Sequence, residues 1–197
     1  NQHACGDTFH TTRIRDEGRV IAILSDGLGS GIKAGVLSTL TAVMAGRFSA
    51  SYHDIKKTAE IIMRALPVCR QRRISYATFS IVDIESGGTA RIIEYDNPRA
   101  VIIRNRSILS VERSTIEGRI NSNRSYTLCY SQFPIAMGDR IVLFSDGVTQ
   151  SGMGSAKYPL GWGWQNAVEH TLDEIMQRSD ISATDLSRSL VHSSLRQ

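Results

Sequence analysis

Apolar and polar positions alternate at the start of the chain and then change period. Residues 10–15 and 18–25 alternate as two strands, joined by the turn Asp16-Glu17-Gly18. From residue 32 to 47 the spacing is helical, with Ile32, Val36, Leu40, Val43 and Met44 along one face. A second helix is predicted to start at the N-cap residue Asp54 and to bury Ile55, Ala59, Ile62, Met63 and Leu66. Pro67 stops it, because proline cannot continue the hydrogen-bonded turn. The middle is strand-rich: residues 76–84, 90–95, 101–104 and 108–111 read as strands. Ser86-Gly87-Gly88, Asp96-Asn97-Pro98 and Asn105-Arg106-Ser107 supply the turns between them. Residues 126–130 and 140–144 add two more strands. Helical spacing returns over 166–177 and 184–195, the latter opened by a Ser182/Asp185 capping box.

Two helices, a run of strands and two further helices predict an α+β domain of packed sheets covered by helices. The regular βαβ alternation of a doubly wound sheet is absent. No linker, low-complexity tract or repeat divides the chain, so residues 1–197 read as a single domain.

Composition narrows the class further. Hydrophobic residues at 41% and charged residues at 21% are ordinary for a globular protein. Apolar runs such as Val20-Ile21-Ala22-Ile23-Leu24 are too short to span a bilayer, and no signal peptide is visible. The net charge of +4 comes with dispersed arginines. The densest basic stretch, Arg70-Gln71-Arg72-Arg73, is too short for a nucleic-acid signature, and no nucleic-acid partner is expected. Cys5, Cys69 and Cys129 are odd in number and widely spaced, which argues against a disulfide framework or zinc site and fits reduced thiols in the cytoplasm. Cys5 and Cys69 lie in no phosphate-binding nucleophile loop and read as buried thiols.

The chemistry is written twice. Val20–Leu24 leads into Ser25-Asp26-Gly27, and Ile141–Phe144 into Ser145-Asp146-Gly147. Each copy sets a carboxylate just beyond an apolar strand, followed by a glycine that permits a sharp turn. Side by side, such strands would bring Asp26 and Asp146 to one sheet end, where carboxylate oxygens suit hard divalent cations. Asp-Gly is also simply a turn signal, and both readings stand at this point. Asp7, in Cys5-Gly6-Asp7-Thr8-Phe9, offers a third carboxylate. Gly27-Leu28-Gly29-Ser30-Gly31 enters the first long helix without the lysine of a P-loop, which argues against an ATPase.

In order and spacing, Gly6-Asp7-Thr8-Phe9, Ser25-Asp26-Gly27-Leu28-Gly29-Ser30-Gly31 and Leu143-Phe144-Ser145-Asp146-Gly147-Val148 resemble the SpoIIE/RsbU branch of the metal-dependent (PPM, type 2C) protein phosphatases. Tyr76-Ala77-Thr78-Phe79 and Tyr95-Asp96-Asn97-Pro98 sit where that family has central strands and a connecting turn. The resemblance implies a four-layer α-β-β-α sandwich of two antiparallel sheets flanked by helices. It also implies two Mn²⁺ or Mg²⁺ ions at one end. By that resemblance Asp26 bridges the metals, the Gly27 carbonyl binds one, and Asp146 binds the other. Asp7 is a direct ligand or holds a metal-bound water. Ser25, Ser145, Gly29 and Gly31 support the site, and Asp26 and Asp146 are the catalytic residues. The implied activity is hydrolysis of phosphoserine or phosphothreonine by a metal-activated water, and the implied partner is a phosphorylated regulatory protein such as an anti-sigma-factor antagonist.

The sequence also departs from that family. Its members usually supply a further ligand from an Asp-Asp or Asn-Asp pair before a last strand, whereas here Gln197 follows a helix. The domain is therefore expected to lack its C-terminal strand and to bind its second metal weakly. Leu28 stands where many eukaryotic relatives have His, so no acid role transfers to it. His3 and His10 read as surface or strand histidines. Trp162 and Trp164 read either as a partner-binding flap or as packing under the following helix. Two other functions compete: a non-catalytic domain of this fold that binds a regulatory protein, and a metal hydrolase of small phosphorylated molecules.

Overall fold

The opening pair of strands is longer than its apolar stretch. The computed structural model describes residues 5–29, 31–51, 54–66, 77–122 and 124–197. In it β1 (Asp7–Ile14) pairs antiparallel with β2 (Arg19–Gly27), so that both Asp7 and Asp26 fall within the ladder. With β3 (Ala77–Glu85), β4 (Thr89–Tyr95), β7 (Ser114–Asn121) and β8 (Arg124–Pro134) they form a six-stranded antiparallel sheet in the order β1-β2-β3-β4-β8-β7. This sheet, α1 (Ile32–Ser51) and α2 (Ile55–Ala65) belong to the first of two compact units, Asn1–Asn97 with Val111–Ala136. Its core packs Ile21 and Ile23, Phe79 and Ile81, Ile93 and Tyr95, and Tyr126 and Leu128 against Ala42, Ala45, Ile55, Ala59, Ile62 and Met63. Asp54 caps α2 as its residue type predicts, accepting from the Lys56 and Lys57 N–H groups. Pro67 lies outside the described residues.

Helix α1 departs from the usual amphipathic arrangement. Its apolar stripe is turned outward, with Ile32 79% and Val36 59% exposed and Leu40 and Val43 also exposed. The side against the sheet is Ala34, Ser38, Thr41, Ala42, Ala45, Gly46 and Ser49. Close approach is the reason: a Cβ on Gly46 would stand 2.7 Å from the His10 ring, so only small residues fit between helix and strands. The far end of α1 is tied to the sheet by Arg19, fully inside the fold. Its guanidinium donates to both Asp83 oxygens, at 3.2 and 2.8 Å, and to the Ser49 carbonyl at 3.2 Å. A strand residue thereby satisfies a carbonyl that the helix end leaves over.

Strand β7 has no counterpart among the predicted elements, and the strand read over 108–111 shrinks to β6 (Ser107–Ile108). Ile116, Gly118 and Ile120 do alternate with Glu117 and Arg119, but the glycine disguises the run. Its missing side chain is filled by Tyr126 of β8, whose ring would lie 2.1 Å from a Cβ there.

The second unit, Pro98–Ser110 with Met137–Gln197, holds a three-stranded antiparallel sheet in the order β6-β5-β9, with β5 (Val101–Arg104) and β9 (Arg140–Val142). Asn105 and Arg106 both take positive φ, 50° and 63°, as a tight two-residue hairpin requires. Helices α3 (Asp146–Thr149), α4 (Trp164–Gln177) and α5 (Ala183–Ser194) complete this unit. Its core joins Val101, Ile103 and Phe144 to Trp162, Val168, Ile175, Leu186 and Leu190. Ser182 caps α5 as predicted: its Oγ accepts from the Asp185 N–H at 3.0 Å, and its hydroxyl, where a capping box would use the backbone N–H, donates to the Asp185 carboxylate at 2.7 Å. Two antiparallel sheets with five helices among the described residues make the α+β class that the pattern predicts. No helix of the described residues is long and apolar enough to cross a membrane.

Candidate metal centre

Register decides what Asp7 and Asp26 can do. They stand directly opposite one another across β1 and β2, and Thr78 of β3 stands opposite Asp26 on the other side. Opposed residues of an antiparallel pair point to the same face, with Cβ atoms about 5 Å apart. Ile21, Ile23 and Ser25 point into the helix-covered core, so the alternate residue Asp26, and Asp7 with it, point to the other face. Two like charges set directly across a ladder are unfavourable by themselves. A divalent cation between them reverses the sign.

The backbone around this rung is fixed by contact rather than by hydrogen bonds alone. Gly27 N–H donates to the Gly6 carbonyl at 3.1 Å, which closes the two strand ends over each other. A Cβ on Gly27 would stand 2.1 Å from the Ala34 carbonyl oxygen, so the first turns of α1 lie directly on this glycine. The Gly27 and Gly29 carbonyl oxygens both come within 3.4 Å of where a Gly6 Cβ would be. Gly29 and Gly31 turn the chain into α1 through φ of 91° and 88°, values that L side chains rarely adopt. Beside Asp7, Thr8 faces the helix and hydrogen-bonds Ser38 and Thr39 at 2.9 and 3.0 Å. Ser25, fully buried, donates to the Thr78 carbonyl at 2.8 Å. Carboxylate and carbonyl oxygens on a rigid frame are the donors that Mg²⁺ and Mn²⁺ prefer, so these residues fit such an ion.

Asp146 belongs to the second unit. Strand β9 ends at Val142, earlier than the predicted residue 144, and Phe144 anchors the following segment in the core. Ser145 is buried, while Asp146 opens α3 and is exposed. The segment after α3 folds back on it: Trp162 N–H donates to the Ser151 carbonyl and Gly163 N–H to the Thr149 carbonyl, each at 2.7 Å. Gly161, at φ 90°, passes so near Gln150 that a Cβ would lie 2.7 Å from its Cα. Trp162 packs in the core of this unit, and Trp164 donates its indole N–H to the Arg99 carbonyl at 2.7 Å. Within either unit, among the described residues, no three His, Cys, Asp or Glu side chains gather as a ligand cluster. His10 bonds Thr12 at 3.1 Å, as a strand histidine does. Cys5 is exposed rather than buried, because it precedes the first strand; His3, Cys69 and residues 70–73 lie outside the described residues.

The family model for stage II sporulation protein E (SpoIIE) matches residues 16–195. The chain belongs to the SpoIIE family. Solved structures agree on the fold. The PP2C phosphatase domain of SpoIIE from Bacillus subtilis, solved with a fragment of its regulatory domain, superposes with a TM-score of 0.70 at 18% identity, over 98% of this chain and 56% of that one. A Mycobacterium tuberculosis structure of RsbU and RsbW domains gives 0.69 at 17% identity, over 98% of this chain and 51% of that one. RsbX in complex with magnesium gives 0.56 at 21%, covering 88% of each chain. This SpoIIE-family chain thus spans about half the length of the first two. No curated protein matches it.

Proposed function

We propose that this chain is a metal-dependent serine/threonine protein phosphatase, its residues 1–197 a single phosphatase domain. The observation that carries the reading is the Asp7–Asp26 rung, two carboxylates held opposite one another beside a glycine turn that α1 clamps. Asp26 and the Gly27 carbonyl would hold a divalent cation, Asp7 would ligate it or a water bound to it, and Asp146 would hold a second. Mn²⁺ or Mg²⁺ in such a site lowers the pKa of coordinated water and neutralises charge on phosphate oxygens. The chain's own part is to fix the ligands: Ser25 locks β2 to β3, and Gly29 and Gly31 carry the turn. Ser145 sets the start of α3. No nucleophilic side chain is required, in keeping with the absence of a phosphate-loop cysteine.

The substrate class we infer is a phosphoserine or phosphothreonine on a bacterial signalling protein in the cytoplasm, such as an anti-sigma-factor antagonist. Family membership supports the phosphatase chemistry, and the RsbU–RsbW neighbour supports a regulatory protein as partner. Phosphate release from a phosphoserine peptide, measured with Mn²⁺ and with EDTA, tests the reading. Metal-dependent turnover that Asp26→Asn abolishes is expected. Normal turnover by Asp26→Asn in EDTA would overturn it, and binding of a regulatory protein without any turnover would mark a non-catalytic relative instead.

A further inference from the structure

One side-chain amide ties three successive segments of the sheet together at the Asp26 rung. Thr78, the β3 partner of Asp26, donates its hydroxyl proton to Asn97 Oδ1. The amide nitrogen of Asn97 donates to Ser80 Oγ at 3.0 Å and reaches the Leu24 carbonyl of β2 at 3.4 Å. Asn97 arrives there because the chain leaves β4 at Tyr95 and turns through Asp96 at φ 52°, a left-handed conformation that Asp tolerates better than most residues. Ser80 is fully buried, so water does not readily replace the amide as its partner. The Thr78 residue is gripped from both sides of the sheet: its side chain by Asn97 on the Asp26 face, its carbonyl by Ser25 from the core face. The polarity of the amide is also fixed. Turned over, or replaced by a carboxylate, it would set an acceptor oxygen against the Leu24 carbonyl.

We propose that Asn97 and Thr78 are positioning residues that hold Asp26 in place for a divalent cation. This rests on the metal reading above. Neither residue is a ligand; each acts through the strand ends that carry Asp26. The hydroxyl of Thr78, rather than its bulk, does the holding.

The test is a Mn²⁺ titration of the full chain, following the paramagnetic resonance signal of free Mn²⁺, at a temperature where melting curves show every variant folded. Asn97→Ala and Thr78→Val are expected to weaken binding by roughly 10–100-fold, the usual effect of removing a group that orients a ligand. Thr78→Ser, which keeps the hydroxyl and loses only the methyl group, is expected to retain wild-type affinity. A packing role alone predicts the reverse order, because valine keeps the shape of threonine and serine does not. Where Asn97→Ala does not fold, the Thr78 pair decides. If Asp26→Asn abolishes binding while Asn97→Ala and Thr78→Val match the wild type, the positioning role is overturned and the metal reading survives. If wild type binds no Mn²⁺, or Asp26→Asn binds it equally well, the metal reading fails and takes this inference with it.

Discussion

Gly27 has no space for a methyl group. A Cβ 2.1 Å from the Ala34 carbonyl would push α1 away from the sheet and drag Ala34 and Ser38 out of contact. Gly27→Ala is therefore expected to destabilise by about 3 kcal/mol, the upper end of the usual overpacking cost. A lower urea midpoint with unchanged slope checks it. Charge matters as much at the neighbouring position. At a Mn²⁺ concentration about 100 times its Kd, the wild type should gain about 2.7 kcal/mol of stability by mass action. Asp26→Asn should remove most of that gain, which thermal melts in Mn²⁺ and in EDTA will show. Asp26 and Gly27 are legible in the sequence as a candidate site because a carboxylate before a glycine follows an apolar strand twice. Asp7, which follows a glycine instead, is legible through the family resemblance. Asn97 is not. Its importance depends on a register that brings its side chain to a residue 73 positions earlier, and no local pattern encodes that.

Sequence periodicity located α1 without revealing which side meets the sheet. An apolar stripe normally marks the core side of a helix. Here the sheet demands small side chains, so the stripe follows helical spacing on the wrong face. Strand β7 escaped for a related reason, since Gly118 is spent on accommodating Tyr126 and reads as a break. The Arg19–Asp83 pair was equally hidden, being an ordinary charge pair in sequence and a fully buried one in the fold. Hydrogen bonding to Asp83 raises the Arg19 pKa, against the opposing effect of burial. Asp83→Ala removes one of the two carboxylates paired with that buried guanidinium, Glu17 at 2.9 Å being the other, and should cost roughly 3 kcal/mol, the lower end for breaking a buried pair. Arg19→Met combined with Asp83→Leu should recover much of the loss, and urea melts of the single and double variants distinguish the two. On α4, the Arg178 hydrogen bond holds the Glu174 carboxyl below the usual carboxylate range. A depressed folded-state pKa contributes stability above the unfolded value, about 4.3, that is lost as pH falls through the folded value. The melting gap between wild type and Glu174→Gln should be present at neutral pH and close in acid.

At the scale of the molecule, the α+β class followed from the order of elements and the two antiparallel sheets from the family resemblance, but which strands join which sheet did not. The pattern read residues 90–111 as successive strands of one region. In the fold, Pro98–Ser110 leaves the first unit as a hairpin and pairs with β9, which comes after β7 and β8 have returned to the first sheet. Local spacing carries no record of which sheet a strand joins, because both have the same period. The interleaving has a consequence for synthesis. During translation the residues of the first unit are all available once Ala136 has left the ribosome. The hairpin emerges earlier and then waits for β9 and for α3 to α5. Throughout that interval Val101 and Ile103, both buried in the finished core, have no core to enter, and β5 has an open edge. Nascent chains halted with residues 1–136 outside the ribosome should therefore be cut by protease within 98–110 and recruit a holdase chaperone there. Both signals should vanish once α5 has emerged.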